Sequence, residues 1–518
     1  MSRAETSRRQ ANRRAFYPGR KPFARRTNVA TRPRRNSPRR YYPPVAITLR
    51  NSYHPGMGVE IAEIARAIAR AGGRTLVVGG FVRDRLLGIE SKDLDVEVYG
   101  LTIGALEDAL RPFGESFAVG KAFGVLRLKG TDADFSLPRR DSRTGRGHRG
   151  FLVELDPSMS YAEASRRRDL TINAMALDPL TGEILDPHGG RRDLERKTLR
   201  AVDPRTFPED SLRGLRVAQF AARFEMAPDQ ELMALCAALD LSDLPGERLL
   251  EEFEKLLLKG KRPSLGLEFL RETGLLRFFP EIGAMVGVPQ EPEWHPEGTV
   301  WVHTLMVVDE AARLRGAGEE EDLALMFGAL CHDLGKPSTT VVEGGRIRSP
   351  NHEEAGVAPT ESFLARLRAP LSLAARVSML VRHHLAPSNF IKQSASPRAY
   401  RRLSRKLAEA GIAAALLERL ARADHFGRTT PEALARQFPE GEEFLRRASD
   451  LQVLEQAVKE VVLGRHLIAR GMVPGPHFAP ILERCRSIQD ETGLTDPETI
   501  LDRALAGEGA PPDDDPIR

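Results

Sequence analysis

The sequence predicts an α+β protein, with a head built on a mixed sheet with helices and an all-α remainder. From about residue 60 to 188, short strand-like runs alternate with helical ones. From Glu209 onward the apolar spacing is helical throughout, and no repeat of fixed period is present. At 518 residues the chain exceeds what one hydrophobic core organises. Composition and periodicity divide it into a basic arm at 1–46, the head at 47–188, a helical neck at 189–284, a second helical domain at 285–446, C-terminal helices at 447–505 and a tail at 506–518.

The elements follow in order. VEIAEIARAIARAGG has the spacing of an amphipathic helix, Thr75 to Val78 that of a strand, and Gly79-Gly80 a tight turn into the helix FVRDRLLG. Asp93 to Tyr99 alternates as a strand does, and Phe123–Lys129 and Ala133–Leu137 are further strand-like runs. EDSLRGLRVAQFAARF, ERLLEEFEKLLLKG and SLGLEFLRETGLLRFF read as neck helices. A second helical block runs from Trp294 to about Arg446; its stretch ARLRAPLSLAARVSMLVRHH reads as a helix with arginines on a solvated face, and Trp294 and Trp301 read as packing residues. In the C-terminal helices, Pro474-Gly475-Pro476 reads as a turn that starts a helix.

Charge is distributed unevenly. The first fifty residues carry 15 Lys or Arg and a single acid, Glu5, for +14, whereas the rest sums to about −9. The arm lacks hydrophobic periodicity and reads as disordered, suited equally to contacts with RNA phosphates and to a solubilising role. It has no apolar core of a secretory signal, and its prolines argue against an organelle leader. No apolar run approaches a membrane span of roughly 20 residues. Three scattered cysteines, Cys236, Cys331 and Cys485, fit a reducing, cytoplasmic setting.

The chemistry begins in LVVGGFVRDRLLGIESKDLDVEVYG. On a strand, Asp93 and Asp95 point the same way with Cα atoms roughly 6 to 7 Å apart, which suits divalent cations and in-line displacement at phosphorus. A third carboxylate would come from TDADFSLPRR, where Asp134 and Asp132 share a face and spacing does not choose between them. Backbone N–H groups after Gly79-Gly80 suit a phosphate, with Arg83 in the first turn of the helix to assist.

With these residues in place, the chain resembles the polymerase-β-like nucleotidyltransferases, and within them the class II tRNA nucleotidyltransferases, which include bacterial CCA-adding enzymes and poly(A) polymerases. RRDLTINAMALD at Arg167–Asp178 is similar to the family's second motif, DPHGGRRDL to the connector, EDSLRGLR at Glu209–Arg216 to the nucleotide-reading motif, and ERLLEEFEKLLL to the last neck motif. The resemblance spans roughly residues 60 to 505 and leaves out the arm. It implies Mg²⁺ at Asp93 and Asp95 with Asp134, nucleotide contacts from Gly79, Gly80, Arg83, Arg167, Asp169, Asn173, Asp210, Arg213 and Arg216, substrates ATP and CTP, and tRNA as partner through its 3′ end and acceptor arm. GMVPGPHFAPILERCRSIQDETG resembles the tRNA-binding C-terminal segment of family members. If Asp210 and Arg213 stand three apart on a helix, one acceptor and one donor face the same base edge, admitting C and A while refusing U and G.

A second site gathers His303, His332, Asp333, His352, one of His383 and His384 (His383 is the choice taken), and Asp424. His332-Asp333 ends an apolar helix that Gly335 can terminate, and burying that pair is costly without a metal or partners. The set resembles an HD-domain phosphohydrolase, which implies a transition ion such as Mn²⁺, Ni²⁺ or Co²⁺ and attack on a 2′,3′-cyclic phosphate or nucleotide monoester. The expected function is therefore CCA addition to tRNA with an attached phosphohydrolase, in a monomer or homodimer without membrane contact. Narrower readings are CC-, A- or poly(A)-adding enzymes; a different class is an RNA-binding HD phosphohydrolase with an inactive head.

Overall fold

Strict alternation along one strand, Leu94–Tyr99, organises the head. The computed structural model describes residues 48–49, 59–90, 94–118, 124–129, 131, 133–143 and 151–507; the arm at 1–46, Asp93, Asp132 and residues 508–518 fall outside them. The central sheet has seven strands: β1 (Arg74–Val78), β2 (Leu94–Tyr99), β3 (Ser116–Ala118), β4 (Val125–Leu128), β5 (Ala133–Ser136), β6 (Ala176–Leu177) and β7 (Ile184–Leu185). Their spatial order is β7-β6-β1-β2-β5-β4-β3. Only the β2–β5 pairing is parallel, so the sheet is mixed as expected.

Leu94, Val96 and Val98 face one way, into a core shared with α1 (Ile61–Arg70) and α3 (Ile103–Leu110). Ile61, Ile64, Ala65 and Ile68 line the buried stripe of α1 at helical spacing. Asp95, Glu97 and Tyr99 face the other way, where β1 ends at the Gly79 turn into α2 (Gly80–Leu86). That face is covered by the helical turn Tyr161–Ala164, whose capping box joins Ser160 and Glu163, and by the tight turns Ser165–Arg167 and Thr171–Asn173. The RRDLTIN stretch therefore delivers two side chains, Arg167 and Arg168, onto Glu97 of the sheet.

The neck comprises α4 (Arg213–Phe224), α5 (Gly246–Lys259) and α6 (Pro263–Glu272). The helix expected from Glu209 starts four residues later. Pro208 holds a short turn at Phe207–Glu209, and Asp210 is extended, accepting the Leu212 N–H through its own side chain. Phe253 of α5 meets Phe279 and Phe363 edge-on with centroids 5.0 and 5.5 Å away, joining the neck to the next domain through one continuous core.

That domain contains α7 (Val300–Arg313), α8 (Glu319–Cys331), α9 (His352–Ala355), α10 (Val357–Arg366), α11 (Leu371–His383), α12 (Pro397–Glu409) and α13 (Ala414–Phe426). The stretch read as one helix before His383 is two, α10 and α11, broken where Arg368 takes φ 53° and Pro370 follows. Trp301 is buried and donates to Glu268 at 2.8 Å, but Trp294 is 55% exposed and packs little. The last helices, α14 (Phe478–Thr492) and α15 (Pro497–Leu505), share a small core of their own. The three cysteines are buried free thiols, and no helix among the described residues is long and apolar enough to cross a membrane.

Candidate functional site

Asp95 sits at the end of β2 nearest the Gly79 turn, in register with Val78 of β1 and with Asp134 of β5. Residues directly paired on neighbouring strands point the same way, so the two carboxylates share one face, one of them exposed and the other half-buried. Asp134 is also held by Arg127 of β4, whose Nε and Nη2 each donate to it at 2.6 Å. Register thus singles out Asp134 as the neighbour of Asp95; Asp93 and Asp132 lie outside the described residues.

Gly79 adopts φ 75°, a conformation glycine enters without strain. A Cβ there would sit 2.9 Å from Nη1 of Arg168 and 3.6 Å from Oδ2 of Asp95. The turn therefore lies beside both a guanidinium and a carboxylate, and a side chain there would crowd them. Oxygen donors from Asp95 and Asp134 suit a hard divalent cation, and the bare turn beside Arg168 suits phosphate.

Arg83 departs from its expected place. It is 4% exposed, folded inward from α2, donating to Asp84 at 2.8 Å and to Asn173 while its guanidinium lies 5.2 and 4.6 Å from the ring centroids of Phe220 and Phe224. It clamps head to neck instead of lining an open phosphate pocket. Arg168, next to the expected Arg167, occupies that position, and its signal was the doubled arginine of RRDLT.

Asp169 accepts Arg216 Nε at 2.7 Å, Asn173 Nδ2 at 3.0 Å and the Leu170 N–H at 2.7 Å. Burial pulls its pKa upward, but these donors outweigh it and hold the carboxyl at about 2. Asp210 and Arg213 are not the helical ion pair their spacing suggested. Asp210 precedes α4 and pairs with Arg248 of α5 at 3.3 Å. Arg213 donates to the carbonyls of Thr206 at 2.8 Å and Arg167 at 2.6 Å, which ties the neck helix to the RRD segment.

In the second helical domain, three overlapping groups place their ligand atoms within 4.8 Å of one another: His295, Glu297 and His303; His303, His332 and Asp333; Asp333, His352 and His384. His332, His352 and His384 each donate Nδ1–H to a backbone carbonyl, of Ala329, Ser349 and Val381, at 2.7 to 2.9 Å. Their Nε2 atoms are aimed inward, those of His332 and His352 lying 3.2 and 3.5 Å from the Asp333 carboxylate. Two of these, on His352 and His384, lie 3.4 Å apart, an arrangement that repels unless a cation lies nearby. His332 Nε2 and both Asp333 oxygens are buried without a hydrogen bond, though Lys336 Nζ is 2.8 Å from Asp333. Burial pushes His384 down to about 3 and lowers His352 as well, keeping both neutral. This donor set fits a divalent transition ion.

His303 meets Asp424 at 2.9 Å, as the pattern required. The histidine from α11 is His384 rather than His383, because adjacent helical residues diverge by about 100° and only one can face the cluster. Gly335 has ordinary helical φ; its place is explained by space, since a Cβ would lie 1.9 Å from the His352 carbonyl. His295 and Glu297, which escaped the sequence reading, hold His303 from its far side, with Glu297 2.9 Å from its Nδ1.

Residues 75–200 match the Poly A polymerase head domain, and residues 224–285 match the family described as the probable RNA and SrmB-binding site of polymerase A. The chain is 41% identical over 317 residues to the multifunctional CCA protein of Stenotrophomonas maltophilia strain R551-3, covering 60% of this chain and 75% of that one. Against the multifunctional CCA protein of Xanthomonas campestris pv. campestris strain B100 it is 39% identical over 317 residues, covering 60% and 74%. Among solved structures, it resembles the Bacillus stearothermophilus CCA-adding enzyme in complex with CTP, with TM-score 0.59, 22% identity and 86% and 96% of the two chains covered. It also resembles the Thermotoga maritima CCA-adding enzyme complexed with tRNA, with TM-score 0.53, 19% identity and 86% and 94% covered. These structural likenesses establish the fold.

The depressed pKa of Asp169 links stability to pH. Its contribution is full above the ordinary carboxyl value near 4 and is lost as pH falls from about 4 to about 2. Asp169→Asn should therefore destabilise the protein at pH 6 and progressively less toward pH 2, read from urea unfolding at each pH. Equal destabilisation across that range would contradict the assignment.

Proposed function

The chain belongs to the multifunctional CCA protein family, and from that premise we propose that it completes or repairs the 3′ CCA end of tRNA from CTP and ATP without a nucleic-acid template. The observation that carries this reading is the Gly79 turn flanked by Asp95 and Arg168, with Asp134 in register beside Asp95. Divalent cations, Mg²⁺ in our reading, would be held by Asp95, Asp134 and Asp93, and when bound they activate the attacking hydroxyl and neutralise the triphosphate. The N–H groups of the turn and Arg168 receive the phosphates, and the exposed end of β2 leaves room for the RNA terminus. The tRNA 3′ oxygen bonds to the α-phosphorus as the bond to pyrophosphate breaks.

Asp169 and Asn173, locked to each other and to Arg216, present a fixed polar surface to the ribose. Asp210, oriented by Arg248, supplies the acceptor for the base edge, while Arg213, whose Nη atoms hold the Thr206 and Arg167 carbonyls, anchors the neck helix beside it. The C-terminal helices are assigned to tRNA contacts, and the protein to the cytoplasm. With tRNA lacking CCA, CTP alone should add two residues, ATP alone none, and both together three, resolved by gel electrophoresis. Addition of only C, only A or a long A tail would move the protein to a narrower relative. Asp95→Asn should lower incorporation by more than about a hundredfold; undiminished incorporation would sink the metal assignment.

The second helical domain we read as an HD phosphohydrolase, with His303, His332, Asp333 and Asp424 holding a transition ion and His352 and His384 completing the cluster. The buried, inward Nε2 atoms support this reading. His332→Gln should lose the ion that the wild-type protein retains through dialysis, measured by elemental analysis, together with phosphate release from a 2′,3′-cyclic phosphate, while CCA addition persists. Unchanged metal content would remove the site.

A further inference from the structure

Glu97 lies two residues beyond Asp95 on the same face of β2 and is 1% exposed. A carboxylate at that depth is either protonated or compensated by nearby donors. Its Oε1 accepts Arg167 Nη2 at 2.9 Å and Arg168 Nη2 at 3.2 Å, and its Oε2 accepts the Tyr99 hydroxyl at 2.8 Å. Two guanidiniums and a phenol hydroxyl thus compensate the buried Glu97 carboxylate.

What this anion does to Arg168 matters for chemistry. An arginine side chain loses rotamer freedom when it binds, so a guanidinium used for binding gains from being fixed in advance. Arg168 is fixed by Glu97 at Nη2 and by the Asn173 carbonyl at Nη1, 3.4 Å away. That fixing sets Nη1 against the Gly79 turn, across from the Asp95 carboxylate. Its Nε is buried and makes no hydrogen bond, so contact with an incoming anion falls to the Nη atoms at the turn.

We propose that Glu97 is a positioning residue for the nucleotide triphosphate, holding Arg168 at the Gly79 turn so that its guanidinium meets the phosphates opposite Asp95. This rests on the reading that the turn and Asp95 receive the nucleotide. A purely structural Glu97 would affect folding and all ligands alike; a positioning Glu97 affects ligands in proportion to their phosphates.

Glu97→Gln removes the charge while keeping size and hydrogen-bonding capacity. A charge-assisted hydrogen bond contributes about 1.5 to 3 kcal/mol, so KM for CTP and for ATP should rise about 10- to 100-fold with a smaller change in kcat. Affinity for CTP should fall while affinity for CMP changes less than about twofold, since CMP lacks the outer phosphates. In a double-mutant cycle, Glu97→Gln should add little to Arg168→Gln, because both remove one interaction. Equal losses for CTP and CMP, an unchanged KM, or additive effects in the cycle would overturn the proposal. Where Glu97→Gln fails to fold, Tyr99→Phe loosens the same carboxylate without removing its charge. A smaller KM rise for CTP, sparing CMP, supports the proposal; an unchanged KM opposes it. Asp95→Asn, run in parallel, separates the two levels: retained incorporation there removes the nucleotide site itself, whereas its loss with a normal Glu97→Gln removes only the positioning role.

Discussion

Carboxylates gathered on one face repel one another, and the head is arranged around meeting that cost. Asp95 and Glu97 follow each other on β2, and Asp134 stands in register on the adjoining strand. Burial decides their fates. Glu97, at the sheet centre, is neutralised by Arg167 and Arg168; Asp134, nearer the surface, by Arg127. Asp95, at the exposed end of the strand, lies beside a turn that carries no side chain. A divalent cation with a polyphosphate suits that carboxylate and that turn at once.

Other arginine contacts tie the head to the neck. Arg213 holds the Arg167 carbonyl, Arg216 holds Asp169, and Arg83 inserts its guanidinium against Phe220 and Phe224 of α4. Each contact joins the phosphate-facing RRD segment or α2 to the helix that opens beside Asp210. The groups proposed to meet the base edge and the triphosphate are thus anchored to one another, which favours a fixed geometry between them. The histidine cluster follows the same economy: three imidazoles fixed by backbone carbonyls, and a fourth, His303, fixed by Glu297 and Asp424.

Local patterns were legible and long-range partners were not. The alternation in DLDVEVY placed Asp95 on its face, the two glycines marked the turn, and the helical spacing after residue 209 announced the all-α remainder. Glu97 shares that alternation, but its arginine partners lie 70 and 71 residues away, so local spacing did not mark it as special. Spacing misled at Asp210 and Arg213, because Pro208 and the Asp210 side chain delay the helix past the point where an i, i+3 rule applies. His383 and His384 differ only in which way the end of α11 turns them, which packing decides. Arg83 had the right charge in the right turn, yet the rings of α4 draw it inward.

The central claim is that one metal–triphosphate unit binds across the Gly79 turn between Asp95 and Arg168. Crystals grown with CTP and Mn²⁺, examined by anomalous scattering, test it most directly. The account predicts Mn²⁺ bonded to the Asp95 carboxylate with the triphosphate on the turn and touching Arg168. Manganese absent from Asp95, or CTP seated away from the turn, would contradict it.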